Sequence, residues 1–210
     1  LTGSPPCTAF SQLQRLNRSK VAAAVREKRL SEGRHHLQVS CRAYRRQMEE
    51  GRYFLHEHPG AADSWDEKCI VDLKNTEGVY YVKGPMCKWE MTSEDSEGLG
   101  YVRKITGWLT NSRKLADILE GVCTNMTGEQ PWHRHVPLVH GRSAAAQIYP
   151  PKLVAAILRG LRLQMIVDGE LSELASFAAG PIPEDDPLDA EDVGIQFMDD
   201  VPFKTIYIHA

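Results

Sequence analysis

Two stretches decide the reading: Gly3-Ser4-Pro5-Pro6-Cys7-Thr8-Ala9-Phe10-Ser11 and Tyr53-Phe54-Leu55-His56-Glu57-His58-Pro59. In the first, two prolines stiffen a turn of small residues and present a cysteine ahead of a helical pattern, an arrangement suited to a nucleophile. In the second, consecutive apolar residues lead into an acid, as in a buried strand covered on both faces. Between them, Leu13, Leu16, Val21, Val25 and Leu30 recur at near-helical spacing, so Ser11 to about Glu50 is predicted as helix. Ser11 is placed to cap its start, Gly33 to break or kink it and Gly51 to close it. Strand, helix and strand in that order predict a βαβ unit with its ligand side at the strand ends.

The pattern continues outward. A helix is expected from Ala62 to about Lys74, then a strand at Val79-Tyr80-Tyr81-Val82. Glu94 to Gly100 is an acidic turn, Tyr101 to Thr110 a further strand segment and Arg113 to Gly121 a short helix. Met126 to Gly141 is irregular and rich in Pro and His. Pro150-Pro151 opens an amphipathic helix to Val167, lined by Leu153, Val154, Ile157, Leu158, Leu161 and Met165, which is expected to pack on the sheet. The fold class predicted is α/β, Rossmann-like, with a mostly parallel sheet and flanking helices. Residues 1–177 form the domain and 178–210 an acidic flexible tail, in which Phe203 to Ile208 forms a terminal strand or nothing.

At 210 residues, 42% hydrophobic and 25% charged, the composition is that of an ordinary soluble globular protein. No apolar run reaches the ~18 residues a membrane-spanning helix needs. Five scattered cysteines favour reduced thiols in an intracellular compartment, nuclear or cytoplasmic. The net charge of −3 is uneven: Arg15 to Arg52 is strongly basic, whereas Ala178 to Asp200 carries eight acids and no Lys or Arg. The basic segment suits nucleic-acid phosphates or a solvated helix face.

The cysteine loop and the strand-end acid together resemble two signatures of cytosine-5 DNA methyltransferases. That resemblance implies Cys7 as the nucleophile toward carbon 6 of cytosine and Glu57 as the acid at ring nitrogen 3. It implies Pro5, Pro6, Phe10, Ser11 and His58 around the base, DNA as partner and S-adenosylmethionine as cofactor. Thr8 stands where many members have Gln, and His58-Pro59 replaces Asn-Val. The resemblance extends more faintly through Lys104-Ile105-Thr106-Gly107-Trp108 and Gly141-Arg142 to Tyr149-Pro150-Pro151, which places Arg142 near substrate. The glycine-rich cofactor loop of that family precedes its Pro-Cys loop. With the chain starting at Leu1, the expectation is a fragment that is inactive alone, with the N-terminal region of its parent polypeptide as a partner. The ensemble also looks like segments of retroelement-type polyproteins of protists. The alternatives are a non-catalytic nucleic-acid-binding or scaffold segment of such a polyprotein and, third, a cysteine hydrolase built on Cys7.

Cys87, Cys123, His133 and His135 are zinc-ligand types. Their gaps are wide and no short Cys-x-x-Cys pair is present, so no metal is assigned. The competing reading is loop histidines beside two buried thiols. His133, Arg134, His135, His140 and Arg142 form either a phosphate-contacting segment or a solvated loop. The four tryptophans are expected at core edges.

Overall fold

The computed structural model describes residues 1–11, 21–129, 131–139, 141–143 and 145–172. The expected tail at 178–210, with its optional strand, and the expected start of the long helix at 12–20 lie outside them. The chain gathers into two compact units. Of the described residues, one comprises Leu1–Tyr81 with Gly107–Ser112, the other Val82–Thr106 with Arg113 to Ser172.

In the first unit β1 (Thr2–Gly3) leads through the Pro-Cys loop and a 3-10 turn at Thr8–Phe10 toward α1 (Ala23–Glu49). The chain returns as β2 (Leu55–Pro59), which pairs with β1 in parallel, Thr2 opposite Leu55 and Gly3 opposite His56. The predicted βαβ unit is present. Gly33, Leu37, Ser40, Cys41 and Tyr44 are the buried residues of α1, at the i, i+4, i+7 spacing of one helical face. Of the expected stripe, Leu30 packs partly buried against the core, Val25 is 43% exposed, and Leu13 and Leu16 lie outside the described residues. Gly51, at φ 70°, ends the helix: its N–H bonds the carbonyl of Met48 and the N–H of Arg52 that of Gln47, a Schellman closure.

Gly33 does not break the helix, which runs through it from Ala23 to Glu49. A Cβ there would lie 2.9 Å from the Phe10 ring and 3.2 Å from the Ala9 Cβ. Glycine lets α1 approach the turn after the Pro-Cys loop, and Phe10 fills the space. Phe10, Leu37, Tyr44, Phe54, Trp65, Ile70, Leu73 and Leu109 build the core of this unit. The expected helix from Ala62 is split into a 3-10 turn at Asp63–Asp66 and α2 (Lys68–Lys74).

β3 (Tyr80–Pro85) and β6 (Ile105–Thr110) carry the chain between units, and the sheet order is β1-β2-β6-β3. Hydrogen bonds at the strand ends fix the direction of β6. Its last residue, Thr110, donates to the carbonyl of Phe54, just before β2, at 2.5 Å. The carbonyl of Lys104, just before β6, accepts from Met86, just after β3, at 2.9 Å. β6 thus runs antiparallel to both neighbours. The α/β class holds, but the mostly parallel sheet is corrected: among the described residues only β1–β2 is a parallel pair in this sheet. The cause is a route the sequence did not reveal. The predicted acidic turn is a hairpin, β4 (Thr92–Asp95) and β5 (Gly98–Tyr101), and it brings the chain back in the reverse sense.

In the second unit α3 (Arg113–Leu119) is followed by a short α4 (Thr124–Thr127) and, after irregular chain, α5 (Pro151–Val167). α5 begins at its predicted proline but packs on α3 rather than on the sheet. Gly160 lies against Leu115, and the Gln164 side-chain oxygen accepts from the backbone N–H of Lys114 at 3.1 Å. Trp65 and Trp108 are buried and Trp132 is 67% exposed.

Candidate functional site

The parallel register of β1 and β2 brings both signature segments to the same end of the sheet. Ser4, in the first residue after β1, donates to Glu57 Oε2 at 2.5 Å. Glu57 is only 5% exposed. Alternation along β2 places Glu57 on one face and His56 and His58 on the other. Cys7 is half-buried and precedes the 3-10 turn, its carbonyl accepting from Phe10 N–H at 3.0 Å. That 3-10 turn, Thr8–Phe10, directly follows the thiol.

The surrounding residues have defined tasks. Pro5 is buried and Pro6 exposed. His58 Nε2–H donates to the Pro5 carbonyl at 2.8 Å, since a carbonyl can only accept, and His58 Nδ1 is hydrogen-bonded to Ser64 Oγ at 2.6 Å. The ring thus ties the Pro-Cys loop to the turn at Ser64. Phe10 is 1% exposed and His58 fully buried, so both build the loop's support rather than a surface open to substrate. Ser11 ends the 3-10 turn, its N–H bonding the Thr8 carbonyl, and the helix start it was expected to cap lies outside the described residues. Arg142 belongs to the second unit, where its guanidinium donates to the carbonyls of Glu94 and Val139.

Two supports were missed from sequence. Ser4 was quoted within the loop but given no role. His56 was hidden in an apolar run, although its alternation with His58 marks a common face. Tyr44 Oη lies 3.0 Å from His56 Nδ1, and Trp65 meets the His56 ring edge-on at 5.4 Å. Complete burial holds the His56 pKa well below its usual value, with His58 adding to the shift. The Tyr44 hydroxyl is pushed up, also by burial.

A second constellation lies wholly within the second unit. Cys87, Cys123, His133 and His135 place one potential ligand atom each, all within 4.8 Å of one another. The sequence named these four residues but gave no spacing that joined them. Beside them, Val102, Arg103, Lys104, His135, Val136 and Pro137 line an open cavity of about 450 Å³. None of its lining comes from the Pro-Cys loop or β2. Arg134, in the segment read from sequence as either phosphate-contacting or a solvated loop, is engaged by both oxygens of Asp95 and by the Gly98 carbonyl.

No protein-family model, curated protein or solved structure gives a significant match to this chain. Among the described residues, no helix is long and apolar enough to cross a membrane.

Proposed function

We propose that Cys7 and Glu57 form a nucleobase site of the cytosine-5 methyltransferase type. The observation that supports it is the parallel β1–β2 pair, which sets the Pro-Pro-Cys loop and the acid at neighbouring strand ends with Ser4 bonded to Glu57. Ligands of α/β sheets collect beyond such ends. The chemistry asks for this pair. Carbon 5 of cytosine is a poor nucleophile until a thiolate adds at carbon 6. The new S–C6 bond pushes the C5=C6 electron pair onto carbon 5, and a carboxyl at ring nitrogen 3 stabilises the product. Carbon 5 then takes a proton from water, and expulsion of the thiolate after loss of either proton restores the base.

The described residues do not fit S-adenosylmethionine. β1 leads into the Pro-Cys loop rather than a glycine-rich turn, and Gly98 and Gly100 lie in the β4–β5 hairpin. No methyl-transfer step is therefore derived, and the proposal concerns reversible addition by Cys7.

The test needs no cofactor. A single-stranded cytosine oligonucleotide, which avoids the cost of base flipping, is incubated with the protein in deuterated water. Exchange of the C5 hydrogen should appear by mass spectrometry and disappear in Cys7→Ser. Glu57→Gln should slow it at least tenfold. Absence of exchange in a folded protein that binds the oligonucleotide would overturn the reading. The exposed cations of α1, among them Lys28, Arg29, Arg42 and Arg45, favour a second one, a nucleic-acid-binding segment without chemistry. It is supported if binding survives Cys7→Ser unchanged and weakens steeply with salt.

A further inference from the structure

We infer that Cys87, Cys123, His133 and His135 form a closed, four-coordinate zinc site that holds the second unit together. The inference is independent of Cys7 and Glu57. Tetrahedral zinc with Zn–S of about 2.3 Å and Zn–N of about 2.0–2.1 Å needs S···N edges near ~3.6 Å and an N···N edge near ~3.3 Å. Here Cys123 Sγ lies 3.5 Å from Nε2 of His133 and 3.5 Å from Nε2 of His135. The two Nε2 atoms are 3.0 Å apart. Both imidazoles offer the same nitrogen to one point, and both cysteines are buried.

The backbone explains the convergence. Residues 133–135 run extended beside β5: Tyr101 N–H bonds the Arg134 carbonyl and Val136 N–H the Tyr101 carbonyl, each at 2.8 Å. Side chains two apart in extended chain share a face. His133 and His135 therefore point one way and Arg134 the other, toward Asp95. Asn125 clamps the main chain of His133 through both its N–H and its carbonyl. Cys87 is buried in the 3-10 turn Met86–Trp89. Lys88 Nζ then reaches the carbonyls of Ile118 and Glu120 at 2.8 and 2.7 Å, pinning that turn to the end of α3, shortly before Cys123.

The donor set selects the ion. Two thiolates and two imidazoles converging within 4.8 Å of one another suit tetrahedral zinc, whereas Cu(II) favours tetragonal sites and Mg or Ca oxygen ligands. Four protein ligands leave no position for water, which makes the site structural. It also answers a need: from Cys123 to Pro150 the regular structure described is one four-residue helix and one 3-10 turn. A metal joining three separated segments supplies the folding energy that such a stretch lacks in packed core.

The test uses the whole chain, purified under reducing conditions. Elemental analysis should find one zinc per chain. Exchange into Co²⁺ should give the intense visible bands of a tetrahedral ion and a sulfur-to-cobalt charge-transfer band. Cys123→Ser and His135→Ala should each lose the metal, while Cys69→Ser should retain it. Chelation should lower Tm by about 10 °C or more. Should the variants fail to fold, the Co²⁺ spectrum of the unaltered chain decides. Weak octahedral bands, no cobalt uptake, or a Cys87–Cys123 disulfide persisting in reductant would overturn the inference.

Discussion

His56 is buried on the helix-facing side of β2, between Tyr44 and Trp65, and burial keeps it neutral. Its folded pKa is depressed, so below about pH 6.5 the unfolded chain binds a proton that the folded chain refuses. The stability this group contributes is fully present above that pH and is lost as pH falls, by up to about 1.4 kcal/mol per pH unit. In His56→Gln, urea midpoints measured from pH 7 to 5 should fall less steeply than in the unaltered protein. Equal slopes would mean that His56 is not held neutral in the fold. Lys88 is a second residue whose task is visible only in three dimensions. Its ammonium accepts no bonds and donates to two carbonyls at the end of α3. Removing it in Lys88→Met should cost about 0.5–1.5 kcal/mol, since both bonds are exposed and water can take up the carbonyls, measured by chemical denaturation.

For α1 the question is what Gly33 does. A glycine inside a helix is destabilising by roughly 1 kcal/mol relative to alanine. If Gly33 were only a weak point in the helix, Gly33→Ala would therefore stabilise the protein. In the structure an added methyl meets the Phe10 ring at 2.9 Å, inside a packed core. Overpacking of that kind costs about 1–3 kcal/mol, so Gly33→Ala should destabilise the protein on balance, and Gly33→Ala with Phe10→Leu should recover part of the loss. Gly84 in β3 meets a harder obstacle. An added Cβ would sit 2.4 Å from the Leu119 carbonyl oxygen, a backbone atom that cannot turn away. Gly84→Ala should therefore destabilise the second unit more than Gly33→Ala does the first, in the same denaturation assay.

At the scale of the molecule, the two units depend on different sources of stability. The first has an aromatic core centred on Phe10, Tyr44, Phe54 and Trp65. The second has the α3–α5 pair and, on the inference above, a zinc ion. Hydrogen exchange after chelation should therefore speed up at residues 86–89 and 123–136. The amides of residues 37–44 and 55–58 should keep their protection. Uniform acceleration throughout the chain would contradict a metal that acts on one unit. Trp65→Ala should have the converse effect, loosening β2 and α1, since it removes the ring packed on His56, His58, Tyr81 and Gly107. Truncating a buried Trp costs about 3–5 kcal/mol.

Local rules made β1, β2, α1 from Ala23 to its end, and the start of α5 legible from sequence. Proline-stiffened turns, a helical period, a closing glycine and consecutive apolar residues each act over a few positions. The parallel βαβ unit and the Pro151 helix start follow from them. The same residues pointed to Cys7 and Glu57, and their strand register brings the loop and the acid together. Tertiary structure alone decided the rest. β6 enters antiparallel between β2 and β3 because a hairpin reverses the chain, and the acidic turn residues at 94–100 do not reveal where the returning strand will dock. Gly33 reads as a breaker by propensity and proves to be a point of close approach, since only the position of Phe10 distinguishes the two. Cys87 and Cys123 lie far apart in sequence. Lys88, the Tyr101 ladder and Asn125 bring them to the two histidines through contacts between distant segments, which leave no periodicity in the sequence to read.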